Sequence, residues 1–398
     1  MKNDVILVIN QKAQERKKQG VDVTNGSIGM MFLDDGTLPV GGPIRELLGR
    51  HTTDQDLCYS SVAGTKEYQE AVRHWFLGSS FDEEAKNGTY KSLATPGGTG
   101  AVTLSFSDSR KGKSILLFPS LDWPNYEGIA AGFKTPYESY DLFEEGHFGL
   151  GKLKKQIVRL LGEYEKITIV VNDPCENPTG YSLEGKEWEA LVALISEKGI
   201  LGKVDLIIDA AYIDYARPEL RSAMIKAVKS IPSEILVYFC FSFSKTLSFY
   251  GLRIGALAVY SHDAAKVSSA YDASVMEARA LWSVPNHMAM NAITELVDSP
   301  ATFKSLKEEV QKNREIVAKR ASIFLKEADE CGIKYFPYRD GFFITLDVPD
   351  AFALGEKLMA KDIFLAPVKD KALRIALCAL PTNKVPGLAK IIATTIKE

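Results

Sequence analysis

The stretch that decides the fold is residues 167–209, ITIVVNDPCENPTGYSLEGKEWEALVALISEKGILGKVDLIID. Residues 167–171 and 205–208 are apolar on both faces, which is typical of strands buried in a parallel sheet. Between them apolar residues recur at helical spacing, and Gly199 can end the helix. These residues are Leu183, Trp188, Leu191, Val192 and Ile195. The stretch therefore predicts a strand, a helix and a second strand of an α/β sheet.

The same buried-strand pattern occurs at residues 115–118, 235–241 and 255–260. Further on, one apolar stripe predicts a helix of about thirty residues near 301–331, which Gly332 stops. A mixed α+β tail follows this helix. We expect an α/β fold with a mostly parallel central sheet and helices on both faces, in a large domain spanning 39–313. Residues 1–38 and 314–398 would form a smaller α+β domain, joined to the large one by the long helix.

Composition narrows the class of function. The chain has 398 residues, 48 Lys and Arg against 51 Asp and Glu, and a formal charge of −3. Because the charge is slightly acidic and no long basic run occurs, binding to nucleic acid or to a membrane surface is disfavoured. No apolar run is long enough to span a bilayer. Five cysteines lie far apart and suggest neither a disulfide framework nor a zinc site, so we expect a cytoplasmic protein. Small-molecule chemistry is the leading class.

Three generic motifs fail on their spacing. Gly98-Thr99-Gly100 resembles a dinucleotide loop, but the third glycine would fall on Thr103. A Walker loop ending at Ser114 would need a glycine where Ser107 stands. None of the five histidines pairs at i, i+4 around a glutamate, so we predict no metal site.

Reactive side chains follow three of the predicted strands. Asn177 comes after strand 167–171, Asp209 ends strand 205–208, and Lys245 follows strand 235–241. Any one of them alone is more often a capping or turn residue. Because ligands of an open α/β sheet bind beyond the carboxyl ends of its strands, we expect an amide, an acid and an amine at one crevice.

An amine, a carboxylate and a phosphate cradle are what pyridoxal phosphate requires. Gly97, Gly98 and Thr99 precede a plausible helix, whose N-terminal amides can bind a phosphate. Ser242 and Arg253 add a hydroxyl and a permanent positive charge. Trp123 is a candidate to lie flat on the pyridine ring, although a lone tryptophan is more often a core residue.

Six runs of sequence carry a resemblance to a known family. They follow the order and approximate spacing of fold-type I pyridoxal-phosphate aminotransferases, and the match looks closest to the class I aspartate and aromatic branch. It extends from Ser27 to Ile375. The six runs are Thr95-Pro96-Gly97-Gly98-Thr99-Gly100-Ala101, Trp123-Pro124-Asn125, Asn177-Pro178-Thr179-Gly180, Asp209-Ala210-Ala211-Tyr212, Ser242-Phe243-Ser244-Lys245 and Arg253-Ile254-Gly255.

The resemblance implies a role for each matching residue. Lys245 would form the imine with the cofactor and then move the substrate proton, and Asp209 would pair with the ring nitrogen. Asn177 and Tyr212 would bind the phenolic oxygen. The phosphate ligands would be Gly97, Gly98, Thr99, Ser242 and Arg253, with Tyr59 from the partner subunit. Trp123 would stack on the ring. Arg374, with Gly29 and Asn177, would bind the α-carboxylate of the substrate. Arg279 of the partner subunit would bind a distal carboxylate of the substrate.

The resemblance thus implies a homodimeric transaminase with shared active sites, which moves an amino group from aspartate or an aromatic L-amino acid to 2-oxoglutarate. On the same fold, an aminotransferase of other substrate range or a C–S lyase would use the same cofactor residues. Ser242-x-x-Lys245 also fits the S-x-x-K motif of penicillin-recognising serine hydrolases, but the companion Ser-Asp-Asn and Lys-Thr-Gly motifs are missing. A non-catalytic binding protein on this fold would normally have lost Lys245.

The chain departs from the aspartate branch at a few positions. Tyr126 and Asn172 stand where histidines are common behind the ring and its carboxylate, so the surroundings that tune Asp209 differ from those of the branch. Glu176 replaces a histidine before Asn177. Leu121-Asp122 resemble extra residues before Trp123, and Trp282 replaces a tyrosine near Arg279. Arg279 alone is more often a solvated helix arginine or one paired with an acid such as Glu277, but the apolar residues around it favour a sheltered guanidinium.

Overall fold

The computed structural model of the chain describes residues 5–398. Residues 1–4, which the predicted small domain includes, lie outside this part. The strands, numbered in chain order, are β1 (Thr24–Asn25), β2 (Tyr90–Thr95), β3 (Ser114–Pro119), β4 (Tyr137–Tyr140), β5 (Phe143–Glu144), β6 (His147–Phe148), β7 (Lys166–Asn172), β8 (Val204–Asp209), β9 (Val237–Ser242), β10 (Gly255–Tyr260), β11 (Phe343–Asp347), β12 (Ile363–Phe364), β13 (Ala366–Lys369) and β14 (Ala372–Ala376).

The α-helices are numbered in the same way. They are α1 (Val5–Lys18), α2 (Gly42–Arg50), α3 (Asp54–Leu57), α4 (Lys66–Leu77), α5 (Asp82–Lys86), α6 (Gly97–Asp108), α7 (Asn125–Phe133), α8 (Leu150–Leu160), α9 (Gly185–Ile195), α10 (Pro218–Lys229), α11 (Phe243–Thr246), α12 (Ala264–Leu281), α13 (His287–Asp298), α14 (Pro300–Cys331), α15 (Ala351–Met359) and α16 (Leu388–Lys397). Single 3₁₀ turns occupy Gly78–Phe81, Ile213–Tyr215, Leu377–Ala379 and Thr382–Lys384.

A seven-stranded sheet organises the chain, in the order β2-β10-β9-β8-β7-β3-β4. The five strands from β9 to β4 run parallel, and β10 is antiparallel to both of its neighbours. Successive residues of β7 enter different apolar clusters, Ile169 on one face and Val170 on the other. Helices therefore cover both faces, and the predicted fold class is confirmed.

The bounds of the five predicted strands differ from the observed bounds by at most two residues. The helix predicted between strands 167–171 and 205–208 is α9, which lies between β7 and β8. Of the seven strands of the large sheet, two were not predicted, β2 and β4. The edge strand β4 exposes Tyr137 and carries Glu138, so neither of its faces is uniformly apolar. An edge strand with a solvated face lacks the continuous apolar run that marks the central strands.

The long helix is α14. The Ser299 hydroxyl accepts a hydrogen bond from the Thr302 amide at its start, and Gly332 ends it at a left-handed φ of 67°. Beyond it a second sheet, ordered β11-β14-β13, packs with α14, α15 and α16 around a separate apolar cluster. The domain boundaries at 38/39 and 313/314 stay a prediction. Within residues 5–398, no helix is both long and apolar enough to cross a membrane.

Candidate active site

A cavity of about 190 Å³ opens where β7, β8 and β9 end. Parallel strands bring their carboxyl ends to one edge, so polar residues that are distant in sequence meet there. The lining residues are Gly98, Thr99, Trp123, Asn172, Asn177, Asp209, Ala211, Tyr212, Ser242, Ser244, Lys245, Tyr250 and Arg253.

Lys245 supplies the amine of this cavity. It lies on α11, the single helical turn that follows β9. Its Nζ donates a hydrogen bond to the backbone carbonyl of Gly29 at 2.9 Å. Burial lowers the pKa of Lys245 to about 8, and the charges of Arg374 and Arg253 act in the same direction. The amine is therefore much closer to neutral form than a solvated lysine.

Asp209 ends β8 and supplies the carboxyl group. Tyr126 Oη donates to Asp209 Oδ2 at 2.6 Å, and the Ala211 amide donates to Oδ1 at 3.2 Å. Asn172 fixes the backbone by donating to the Asp209 carbonyl at 2.7 Å. Burial raises the pKa of Asp209 to about 6, while the Tyr126 hydrogen bond and the Lys245 charge lower it.

The N-terminus of α6 forms a cradle beside Ser242 and Arg253. No side chain caps this helix, and its first residue, Gly97, has a left-handed φ of 70°. A Cβ on Gly97 would lie 2.5 Å from Arg253 Nη2, and one on Gly98 would lie 3.1 Å from the Ser242 Cβ. Backbone amides, a hydroxyl and a guanidinium around two glycines suit a phosphate group. With Asp209 and Lys245 in the same cavity, the residues fit pyridoxal phosphate.

Arg374 on β14, in the second sheet, contacts Asn177 of the cavity wall. It is 2% exposed. Its Nη1 donates to Asn177 Oδ1 at 2.9 Å, and its Nη2 donates to the Ser27 carbonyl at 2.8 Å. The ring of Phe343 lies 4.4 Å from the guanidinium carbon. A planar guanidinium held from two sides is suited to bind a carboxylate in a fixed orientation.

The structure brings most of the predicted site residues together. Gly98, Thr99, Trp123, Asn177, Asp209, Tyr212, Ser242, Lys245 and Arg253 line the cavity, and Gly29, Gly97 and Arg374 contact lining residues. Tyr59 and Arg279 do not line it. Tyr59 is 91% exposed, and the exposed Arg279 donates to the Ser283 hydroxyl. The apolar residues beside Arg279 do not cover its guanidinium in the single chain, and a sheltered position at the site of a partner subunit stays a prediction.

Sequence reasoning missed Tyr250. Its ring lies 5.2 Å from Lys245 Nζ, and its hydroxyl accepts a hydrogen bond from the Met31 amide at 2.7 Å. The only feature of the sequence that could have indicated Tyr250 as a site residue is its position between Lys245 and Arg253. Tyr126, noted only as a departure, contacts Asp209 directly. Among the described residues, no three His, Cys, Asp or Glu side chains are grouped to hold a metal ion.

Comparisons with known proteins agree with this geometry. The family described as "Aminotransferase class I and II" matches residues 34–392. The aromatic-amino-acid aminotransferase of Escherichia coli (strain K12) is 24% identical over 341 residues, which are 84% of this chain and 83% of that protein. The aspartate aminotransferase of Salmonella typhi is 24% identical over 322 residues, 77% of each chain.

Two solved structures show the same fold. The aminotransferase of Anaerococcus prevotii has a TM-score of 0.92 at 27% identity, and the superposition covers 100% of this chain and 97% of that one. The aromatic-amino-acid aminotransferase of Burkholderia pseudomallei, whose structure is covalently bound to pyridoxal phosphate, has a TM-score of 0.82 at 20% identity. That superposition covers 100% of this chain and 98% of the other.

Proposed function

Because the chain belongs to the class I and II aminotransferase family, whose cofactor is pyridoxal phosphate, we propose that it moves an amino group from aspartate or an aromatic L-amino acid to 2-oxoglutarate. One observation carries the proposal. The amine of Lys245 shares a cavity with the Asp209 carboxyl group and lies near enough to Arg374 for that guanidinium to lower its pKa.

When bound, pyridoxal phosphate supplies an aldehyde for the amino group and a ring that withdraws electrons from the bonds at the substrate Cα. Its phosphate would be held by Gly97, Gly98, Thr99, Ser242 and Arg253. Asp209 would keep the ring nitrogen protonated, Trp123 would cover the ring, and Asn177 and Tyr212 would bind the phenolic oxygen. Tyr59 of the partner subunit would complete the phosphate site in a homodimer.

Lys245 would move the proton. Its Nζ would take the proton from the substrate Cα and deliver it to C4′ of the cofactor. A general base works best when its pKa is near the working pH, and burial brings the pKa of Lys245 to about 8. The Gly29 carbonyl holds the amine in place by accepting its hydrogen bond.

Arg374 would bind the α-carboxylate of the substrate through its two Nη groups. Asn177 fixes the guanidinium by accepting from Nη1 at 2.9 Å. Arg279 of the partner subunit would bind the distal carboxylate of aspartate or 2-oxoglutarate. Arg279 is exposed and does not line the cavity of its own chain, so this role requires a dimer in which Arg279 of one chain lies at the cavity of the other.

The test is an assay of the full chain with pyridoxal phosphate, 2-oxoglutarate and a panel of L-amino acids. We expect glutamate and the matching 2-oxo acid in equal amounts, with aspartate or aromatic donors fastest. Lys245→Ala should make neither. Pyruvate and ammonia from a sulfur-containing amino acid, without glutamate, would identify a C–S lyase and overturn the proposal.

A further inference from the structure

One polar side chain of the cavity wall, Asn172, has no part in the proposed reaction. It is the last residue of β7, it lines the cavity, and it is 4% exposed. Asn172 also stands at a position where the sequence departs from the aspartate branch. A buried side-chain amide is costly unless both its donor and its acceptor are used, so its partners show what it does.

Both ends of the Asn172 amide bind the backbone of a predicted site residue. Its Nδ2 donates to the carbonyl of Asp209 at 2.7 Å, and its Oδ1 accepts from the amide of Asn177 at 2.8 Å. A carbonyl can only accept and an N–H can only donate, so these two partners also fix the orientation of the amide. One side chain thus joins the end of β8 to the loop that follows β7.

The join lies where the sheet itself stops holding these residues together. β7 and β8 pair in register as far as Asn172 and Asp209, and the Asp173 amide donates to the Asp209 carbonyl at 3.1 Å. Residues 173–184 then form a loop without helix or strand. The Asn172 side chain therefore continues the link between the two strands past the end of the backbone ladder, to Asn177.

The two residues joined by Asn172 belong to opposite ends of the site. Asp209 would pair with the ring nitrogen of the cofactor. Asn177 Oδ1 accepts from Arg374 Nη1 at 2.9 Å, and Arg374 would bind the substrate α-carboxylate. Because its Oδ1 is used by Arg374, Asn177 has its Nδ2 group to donate to the phenolic oxygen. A series of hydrogen bonds thus runs from Asp209 through Asn172 and Asn177 to Arg374.

We propose that Asn172 is a positioning residue, whose side-chain amide fixes Asn177 relative to Asp209. The inference rests on the proposed function, in which that spacing places the Asn177 donor at the phenolic oxygen while Asp209 holds the ring nitrogen. Leucine has nearly the shape of asparagine but neither its donor nor its acceptor, so Asn172→Leu tests the two hydrogen bonds rather than the volume. The Asp209 carbonyl keeps the Asp173 amide as a donor in this variant.

The first test follows the visible absorbance of the bound cofactor against pH, in the full chain loaded with pyridoxal phosphate. A donor at the phenolic oxygen favours its ionised form, so a displaced Asn177 leaves that form less stable. Asn172→Leu should therefore raise the midpoint of the absorbance change by about half a pH unit or more. An unchanged midpoint in the folded variant would overturn the proposal.

The control is Tyr140→Phe. The Tyr140 hydroxyl makes a buried hydrogen bond to the Val170 carbonyl of β7 at 3.0 Å, and Tyr140 does not line the cavity. Its loss perturbs the same strand without touching Asp209 or Asn177. The absorbance midpoint of this variant should match that of wild type, and an equal rise in both variants would mean that any loosening of β7 suffices.

The second test measures the substrate end of the series by calorimetry with 2-oxoglutarate and the cofactor-loaded chain. Arg374 loses a fixed partner when Asn177 is displaced, so Asn172→Leu should bind 2-oxoglutarate about fivefold or more weakly than wild type and Tyr140→Phe. A lower melting temperature with unchanged midpoint and unchanged affinity would show that Asn172 only supports the sheet, and would overturn the proposal.

A second variant covers the case in which Asn172→Leu does not fold. Asn172→Ala leaves space where the amide stood and should change the midpoint and the affinity in the same directions; unchanged values would refute the positioning role. The proposed function fails separately. A wild type that does not bind 2-oxoglutarate, while Asn172→Leu still raises the absorbance midpoint, would count against the proposed amino acceptor alone.

Discussion

The Asp209 carboxyl group receives its only side-chain hydrogen bond among the described residues from Tyr126, which stands where the aspartate branch commonly has a histidine. Burial and this hydrogen bond act on its pKa in opposite directions. The sequence predicted Asp209 itself because it ends an apolar strand. The resemblance placed Tyr126 behind this carboxylate, but no local pattern indicates the hydrogen bond, since the two residues are 83 positions apart in sequence and meet only in the folded chain.

Tyr126→Phe should lower kcat about tenfold, because a hydrogen bond to a charged group contributes about 1.5 kcal/mol. Without this donor the pKa of Asp209 rises above about 6, so a smaller fraction is ionised and the acid limb of the kcat profile moves to higher pH. Tyr140→Phe is the control, since that hydroxyl donates to the Val170 carbonyl instead. An unmoved acid limb in Tyr126→Phe would show that Tyr126 only fills space.

Lys245→Met should stabilise the chain without cofactor by about 1–3 kcal/mol near pH 6, because it removes a cation from a buried site. The pKa of Lys245 falls from 10.5 to about 8 in the folded chain, so the folded wild type gains stability as pH rises between these values. The advantage of the variant should therefore shrink over that range in denaturant titrations. Lys319→Met, at an exposed position of α14, should show no such trend.

Individual helices and strands differ in how strongly the sequence pattern predicts them. Buried parallel strands such as β7 are continuous apolar runs, and α14 has a long stripe with a glycine stop, so both were predicted. The start of α6 was predicted only as a glycine-rich turn before a helix. Its left-handed Gly97 and the contact with Arg253 depend on β2 and β10 lying side by side, with Thr95 paired to Gly255.

Gly97→Ala should weaken the binding of pyridoxal phosphate at least tenfold, or about 1.4 kcal/mol, in a spectroscopic titration of the cofactor-free chain. Alanine is strained at a φ of 70°, and its Cβ would displace the Arg253 guanidinium. Gly132→Ala on α7 has open space around the new Cβ and should bind the cofactor like wild type. Equal affinities for all three chains would exclude the α6 cradle as the phosphate site.

At the scale of the whole molecule, a segment near the N-terminus joins the two sheets across the cavity. Met31 donates to Tyr250 beside Lys245, and the fully buried Arg320 of α14 donates to Asp34 at 2.8 Å and to the Phe32 carbonyl at 2.9 Å. Contacts between residues more than 200 positions apart carry no local sequence signal. The resemblance to a family, rather than periodicity, was what placed Gly29 at the site.

Mixing Lys245→Ala with Arg279→Asp subunits should restore up to about a quarter of dicarboxylate activity, because one site of each hybrid dimer regains both residues. This expectation rests on the resemblance, which assigns Tyr59 and Arg279 to the site of the partner subunit, and both residues are exposed in the single chain. Lys245→Ala mixed with Asp209→Asn is the control. Both of those residues belong to the same chain's cavity, so that mixture should stay inactive. No recovery in the first mixture, after subunit exchange is verified, would argue for sites that do not share residues.

The carbonyls of Ser27 and Gly29 accept hydrogen bonds from Arg374 and Lys245, the two side chains to which the proposed function assigns the substrate carboxylate and the moving proton. One short backbone segment therefore orients a residue of the second sheet and a residue beyond β9 at the same time. A substitution that displaces residues 27–29 should move both side chains together, so substrate binding and proton transfer should weaken in parallel rather than one at a time.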